Sequence, residues 1–246
     1  WPGEGLPLAD TRHSACCSLE AVEDARRVAD RLGIAHYALN FRDLFEQKVI
    51  RDFLSEYSRG RTPNPCIRCN RFVKFEGLLS KARSWGADFL ATGHYARVDR
   101  SAGGRFLLRR ALHPEKDQSY ALYSLTQEQL AHTLFPLGCL EKQETRRIAM
   151  ELGLATAEKA ESQELCFVPD DDYPAYLRRQ LPSAARPGPI RSLEGEVLGT
   201  HQGVAFYTVG QRKGLGIAAP HPLYVVDILP GENAVVVGER DQLYSS

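Results

Sequence analysis

The chain has 246 residues and a mass of 27.5 kDa, with 31 Lys and Arg against 31 Asp and Glu, so its formal net charge at neutral pH is zero. That length suits one large or two modest domains, and 43% hydrophobic with 25% charged residues excludes a disordered tail or a low-complexity array. No run approaches the ~18 apolar residues of a membrane-spanning helix. Residues Trp1 to Gly5 lack the basic-then-apolar layout of a secretory signal, so the expected location is cytoplasmic.

Taken in chain order, the first part alternates helix and strand. Ser18 is placed to cap a helix carrying Leu19, Val22, Ala25, Ala29 and Leu32 on one face and closed by Gly33. Tyr37, Leu39 and Phe41 alternate as a strand, and Asp43 can cap a second helix bearing Leu44, Val49, Phe53 and Tyr57, stopped at Gly60. The prolines of Arg61-Thr-Pro-Asn-Pro65 predict an extended loop through Asn70. A third helix follows over Phe75 to Ala82, and then Asp88 to Thr92 as a buried strand running into Gly93 and His94. The pattern predicts helices at Gln127 to Phe135 and Lys142 to Leu152, and a short one opened by Asp170, Asp171 and Asp172. Beyond Pro187, closely spaced turns separate β runs at Val204 to Val209 and Leu223 to Leu229, the latter pairing as a hairpin with Ala234 to Val237. The expected fold class is therefore α/β, a parallel-sheet domain over residues 1–169 followed by a small β-rich domain over 170–246. In such a sheet ligands sit beyond the carboxyl ends of the strands, where Gly93 and His94 lie.

Neutral overall charge hides a local excess. Residues 51–83 hold eight Lys and Arg against three acids, a patch suited to phosphate or to solvent. Six cysteines in a long chain without a secretory signal argue against a disulfide framework and leave thiol chemistry, a metal or burial. Cys66-Ile-Arg-Cys69 places two thiols within reach of one metal or of each other, and Arg61, Arg68 and Arg71 favour thiolate and phosphate. Cys16 and Cys17 are candidates to complete a zinc site. Cys166, in Ser162-Gln-Glu-Leu-Cys-Phe167, reads either as a small buried hydrophobe or as a reactive thiol. Tyr207-Thr-Val-Gly-Gln-Arg-Lys-Gly-Leu-Gly-Ile217 is either a tight turn or a phosphate-contacting loop. There is no Walker A loop, no Gly-x-Gly-x-x-Gly and no Ser-Gly-Gly-x-Asp-Ser loop.

In order, Gly60-Arg-Thr-Pro-Asn-Pro-x-x-x-Cys69-Asn70, Lys74-Phe75, Ala91-Thr-Gly-His-Tyr-Ala-Arg97, Lys116-Asp-Gln-Ser-Tyr120, Ser162 to Phe167 and Tyr207 to Ile217 resemble the blocks of the tRNA-specific 2-thiouridylases, over nearly the whole chain. The resemblance implies an ATP-pyrophosphatase-type domain and a tRNA-uridine 2-sulfurtransferase that uses ATP and Mg2+. Adenylation of the wobble uridine precedes sulfur delivery from a cysteine persulfide. By position, Cys166 resembles the persulfide carrier and Cys69 its partner nucleophile. Asn64, Pro65 and Cys66 match the segment touching the target base, Gly93 a nucleotide-contacting glycine, His94 a tRNA contact, and Lys116, Asp117 and Gln118 a tRNA-contacting triplet. The implied partners are tRNAs of the Glu, Gln and Lys type and a sulfur donor, either a persulfide relay protein or a cysteine desulfurase, with no membrane.

Two departures from the family pattern matter. Members often carry aspartate where this chain has Cys66; with cysteine there, Cys66, Cys69 and Cys166 are three thiols suited to a 4Fe–4S cluster whose open iron would bind sulfide. The family's opening strand and phosphate-gripping loop, and its C-terminal β-barrel, are also expected but not present in the sequence. The expectation is thus of a fragment unable by itself to adenylate RNA. The rival readings are a thiolase of the same fold acting on another base and a zinc-stapled tRNA-binding module held by Cys66 and Cys69.

Overall fold

The computed structural model describes residues 19–159, 165–168 and 172–244. In chain order the helices are α1 (Leu19–Leu32), α2 (Arg42–Phe45), α3 (Arg51–Ser58), α4 (Pro65–Arg68), α5 (Leu79–Ser84), α6 (Gln127–Ala131), α7 (Lys142–Glu151) and α8 (Tyr173–Gln180). Wider, π-type turns occupy Glu46–Ile50 and Cys69–Leu78. The strands are β1 (Leu90–Ala91), β2 (Ala96–Arg100), β3 (Phe106–Arg110), β4 (Thr133–Leu134), β5 (Gly188–Arg191), β6 (Val197–His201), β7 (Tyr224–Leu229) and β8 (Ala234–Gly238). Two compact units result: one holds the residues up to Val49 and Pro65–Phe167, the other Ile50–Asn64 and the residues from Val168 onward.

The first unit is an α/β assembly. β1 and β4 pair in parallel, Leu90 opposite Thr133 and Ala91 opposite Leu134, and β2 and β3 form an antiparallel hairpin turned at Gly103 and Gly104. Its core gathers Phe75, Ala96, Leu122, Leu125 and Leu130, with Leu90, Val98, Phe106, Leu108 and Phe135 packed against them. Away from that core, ion pairing and hydrogen bonding hold α1: Lys159 reaches Asp24, and the Arg31 guanidinium donates to the Leu152 carbonyl at 3.3 Å. α6 starts cleanly because the hydroxyl of its N-cap Thr126 accepts from the Gln129 amide while the Gln129 side chain accepts from the Thr126 amide.

The second unit is a four-stranded sheet in the order β6-β5-β8-β7, antiparallel except for the β5–β8 pair. β8 lies inside the sheet and is buried nearly throughout, so it reads as continuous Ala-Val-Val-Val rather than as an alternation. The hairpin joining it to β7 turns at Asn233, whose φ of 48° is the left-handed conformation asparagine tolerates. α3 belongs here because Phe53, 1% exposed, stacks edge-on against Tyr57 at 4.9 Å and lies 6.5 Å from the Tyr176 ring of α8.

Several sequence expectations are corrected. Tyr37 to Phe41 is not a strand: no ladder partner for it exists among the described residues, and Tyr37 is 69% exposed. The segment expected to be extended through Asn70 is helical from Pro65, because proline at the first helical position has the right φ and no amide to lose. The expected helix at Phe75 to Ala82 is the continuation of that same helical run to Ser84. Asp88 to Thr92 shrinks to β1 and is only partly buried, with Phe89 52% exposed. Gln127 to Phe135 stops being helical at Ala131 and becomes β4. Val204 to Val209 is no strand: Val204 and Ala205 are buried in succession in a 3-10 turn, which an alternating strand cannot do. The Leu223 to Val237 hairpin forms as expected. Ser18, Asp170 and Asp171 lie outside the described residues, while Asp172 caps α8 by accepting from the Ala175 amide at 2.9 Å.

Candidate functional site

Within the first unit, the helical run 65–84 carries most of the candidate residues. Pro65 is buried at its start, Cys66 is exposed one residue later, and Cys69 is half-buried where the π-type turns begin. Such turns leave carbonyls poorly matched to the helical ladder, and two side-chain amides, one from within the stretch and one from α6, tie it to its neighbours. Asn70, 3% exposed, donates through Nδ2 to the Ala121 carbonyl at 3.1 Å, and Gln129 Nε2 donates to the Phe75 carbonyl at 2.8 Å. Three cations converge on the Phe72 ring: Arg68 at 4.5 Å, Arg71 at 4.9 Å and Lys48 at 5.4 Å from its centroid. The ring's negative face offsets part of their mutual repulsion, and two of the three cations, Arg68 and Arg71, flank Cys69 in sequence.

Gly93 and His94 follow β1 after Thr92, at the carboxyl end of the parallel pair. A methyl group on Gly93 would meet only Leu137 Cδ1, at 3.8 Å, so the backbone there faces open space. The His94 ring sits between Phe75 and Phe135, both with centroids 6.0 Å away, and its Nδ1 lies 2.8 Å from the Thr92 hydroxyl. Burial, aided by the Lys74 ammonium, pulls its pKa down to about 4, so the imidazole is neutral at physiological pH.

The triplet at 116–118 is built into a braced loop. Asp117 accepts from the Ala111 amide at 2.8 Å and from the Ser119 hydroxyl at 2.8 Å, and these bonds hold its carboxyl below the ordinary range despite burial, which pushes the other way. Gln118 grips Tyr95 twice, its amide donating to the Tyr95 carbonyl at 2.9 Å and its side chain accepting from the Tyr95 amide at 3.0 Å. Asp117 and Gln118 therefore shape the loop that presents Lys116 and the exposed Tyr120 and Tyr123. Cys166 is half-buried in a short turn, with the adjoining Phe167 packed edge-on against Phe45 at 5.9 Å. Ser162, Gln163 and Glu164, like Cys16 and Cys17, lie outside the described residues.

In the second unit, Asn64 ends an exposed segment whose Thr62 hydroxyl lies 2.7 Å from that of Thr208. Arg59 and Arg61 both reach Glu56, at 3.4 Å.

Among the described residues no three His, Cys, Asp or Glu side chains come together as a metal-holding group. Cys66 and Cys69, three apart on a helical run, share a face, but among the described residues Cys166 does not complete a ligand set with them. Among the described residues no three-thiol site for the expected 4Fe–4S cluster is assembled. What the sequence did not signal is the role of Phe72 as a platform for three cations and of Asn70 as a tether. Spacing offered one hint, since Arg68 and Phe72 are four apart on a helix.

Residues 7–170 match the family profile described as "tRNA methyl transferase HUP domain", and residues 174–239 the one described as "tRNA methyl transferase PRC-barrel domain". Among similar proteins, the "tRNA-specific 2-thiouridylase MnmA" of Pelotomaculum thermopropionicum is 54% identical over 244 residues, covering 99% of this chain and 66% of that protein. The protein of the same name from Moorella thermoacetica is 54% identical over 245 residues, covering 99% and 68%. That from Heliobacterium modesticaldum is 55% identical over 240 residues, covering 97% and 62%. The chain thus spans about two thirds of the length of the curated relatives it matches.

Proposed function

The chain belongs to the family of tRNA-specific 2-thiouridylases, and on that premise we propose that it serves ATP-dependent transfer of sulfur to carbon 2 of the wobble uridine in tRNAs of the Glu, Gln and Lys type. The family profile speaks of methyl transfer and the relatives' names of thiolation. Thiolation is the reading that gives the thiols work to do. The observation that carries it is Cys69, half-buried and flanked in sequence by Arg68 and Arg71, which with Lys48 gather on the Phe72 ring. Cations near a thiol favour its thiolate, the form that sulfur exchange needs.

In the proposed sequence, ATP is a substrate that converts the uridine O2 into a leaving group. A donor, either a persulfide relay protein or a cysteine desulfurase, loads Cys166 with a second sulfur. That terminal sulfur attacks carbon 2, and the activated oxygen departs with AMP. The Cys69 thiolate then attacks Cys166 Sγ, the S–S bond to the delivered sulfur breaks, and its electron pair becomes the thiocarbonyl. A Cys69–Cys166 disulfide remains, and a two-electron thiol reductant resets it. Gly93 gives the nucleotide an unobstructed backbone to approach. Neutral His94 offers a hydrogen-bonding ring without charge, and Lys116, on the loop shaped by Asp117 and Gln118, faces the RNA. Asn64 and Pro65 meet the target base, with Cys66 beside them.

Nucleoside mass spectrometry tests this, on tRNA from cells that lack their own 2-thiouridylase and receive the gene carrying this sequence. Restored 2-thiouridine with the intact gene, and none with Cys166→Ser or Cys69→Ser at equal protein levels, is the expected result. Restoration by either serine variant would overturn the two-thiol route, and no restoration by the intact gene would overturn the thiolation reading.

A further inference from the structure

The loop from Thr208 to Leu215 is built unusually for a surface turn. Gln211 holds it from inside. Its side-chain oxygen accepts from the Thr208 amide at 3.1 Å and its side-chain nitrogen donates to the Lys213 carbonyl at 2.9 Å. Its backbone amide donates to the Thr208 carbonyl at 2.9 Å, and its carbonyl accepts from the Val225 amide at 2.9 Å. The Gly210 amide donates back to the Val225 carbonyl at 2.7 Å, so the loop is clamped to the start of β7. Gly210 and Gly214, at φ of 89° and 77°, make the two bends that a side chain would strain. Leu215 is buried and anchors the far end.

Arg212 and Lys213 stand on this frame, both exposed. They differ from Arg59 and Arg61 of the same unit, whose charge Glu56 already offsets. The Thr62–Thr208 hydroxyl contact fixes the loop's base to the segment that ends in Asn64, all within one compact unit. A rigid loop carrying two adjacent cations, tied to a segment read as touching the target base, suits one ligand chemistry above others. It suits the backbone phosphates next to that base, which position an RNA without reading its sequence.

We propose that Arg212 and Lys213 form a phosphate-binding clamp for the RNA strand flanking the target nucleotide, held in place by Gln211 and by the Thr62–Thr208 contact. The proposal rests on the tRNA-modifying reading above. Because the frame is preformed, little loop ordering accompanies binding, and the two cations act together rather than as separate mobile charges.

Fluorescence anisotropy of a labelled, unmodified glutamate-type tRNA transcript, titrated with the chain at several salt concentrations, tests the clamp. Arg212→Ala/Lys213→Ala is expected to weaken binding about 10-fold at physiological salt and to lower the slope of log Kd against log salt by about 1.5, the loss of two phosphate contacts. Arg212→Lys/Lys213→Arg is expected to bind as the intact chain does, since phosphate contact needs charge on the frame. The exposed side chains make unaltered thermal unfolding the expected companion result. If the intact chain binds the transcript and the double alanine variant binds equally with the same salt slope, the clamp is wrong while the tRNA reading stands. If the intact chain does not bind the transcript, the tRNA reading falls and the clamp with it.

Discussion

The side-chain amide of Asn70 donates to the backbone carbonyl of Ala121 at 3.1 Å, from a position only 3% exposed. Cys69 immediately precedes Asn70, and Ala121 closes the short turn after the 116–118 triplet, so one hydrogen bond joins the thiol-bearing helix to the loop proposed to face RNA. The Asn70 side-chain oxygen is buried with no partner among the described residues. Asn70→Ala removes the donor and leaves the Ala121 carbonyl unmatched, an expected loss of about 1–3 kcal/mol in urea unfolding. Asn70→Asp is expected to be worse, because it puts a carboxylate oxygen in place of the donor, facing that carbonyl in a buried site. An Asn70→Ala protein as stable as the parent would show that the tether carries no weight.

Acid sensitivity follows from two neutral histidines. His201 is completely buried; its Nδ1 accepts from the Gly203 amide at 3.0 Å, so Nε2 is the protonated nitrogen and donates to the Asn233 carbonyl at 2.9 Å. Burial lowers its pKa, partly opposed by the Asn233 bond, and burial likewise takes His94 to about 4. Both groups bind a proton more readily unfolded than folded. Their contribution is therefore complete above the unfolded value near 6.5 and is lost as pH falls from there toward the folded values. Urea midpoints are expected to hold steady from neutral pH down to about 6.5 and to decline below it. His201→Gln should lower stability at neutral pH and flatten part of that decline. An equal acid decline in parent and variant would remove His201 from the account.

Much of this was legible in the sequence where one local cause dominates. Gly33, Gly60, Gly86 and Gly153 end helices with positive φ, as their positions implied, and the Pro230 to Asn233 turn joins the hairpin its flanking β runs demanded. The failures share a physical reason. Whether Tyr37 to Phe41 becomes a strand depends on a neighbour to pair with, and whether Arg61 to Asn70 is loop or helix depends on Pro65 opening a helix rather than breaking one. Of the candidate site, the motif positions were readable, but the convergence of Lys48 on Phe72, twenty-four residues away in sequence, is a tertiary fact that periodicity does not encode.

Two glycines give a sharper test of packing because neither needs an unusual backbone. A methyl group at Gly138 would overlap the Ala96 carbonyl, and one at Gly188 would overlap the Asn233 carbonyl. In both cases the obstacle is backbone, which cannot swing aside as a side chain does. Gly138→Ala and Gly188→Ala are each expected to cost about 1–3 kcal/mol or more, the price of overpacking. Gly93→Ala, whose added methyl meets only Leu137 Cδ1 at 3.8 Å, is expected to leave unfolding unchanged while weakening nucleotide binding. Equal thermal midpoints for Gly138→Ala and the parent would contradict the packing described.

The cations around Phe72 make a prediction about Cys69 that is separable from overall activity. Arg68, Arg71 and Lys48 lie 4.5 to 5.4 Å from one ring centroid, and Arg68 also donates to the Lys48 carbonyl at 3.4 Å, so the three act as one positively charged group. Arg68 and Arg71 flank Cys69 in sequence, cations near a thiol favour its thiolate, and alkylation by iodoacetamide follows the thiolate fraction. Arg71→Ala is expected to slow alkylation of Cys69 about 3-fold near neutral pH and to move the pH midpoint of the reaction upward, with Cys139 unaffected as an internal reference. Phe72→Leu removes the ring while keeping the bulk. Without the aromatic face the cations lose their common anchor, and a smaller upward shift in the same direction is expected. High salt should shrink both effects, because the charges lie near the surface, where ions screen them. Unchanged alkylation in Arg71→Ala, measured peptide by peptide by mass spectrometry, would mean that the cation group serves RNA phosphates alone and leaves the thiol untouched.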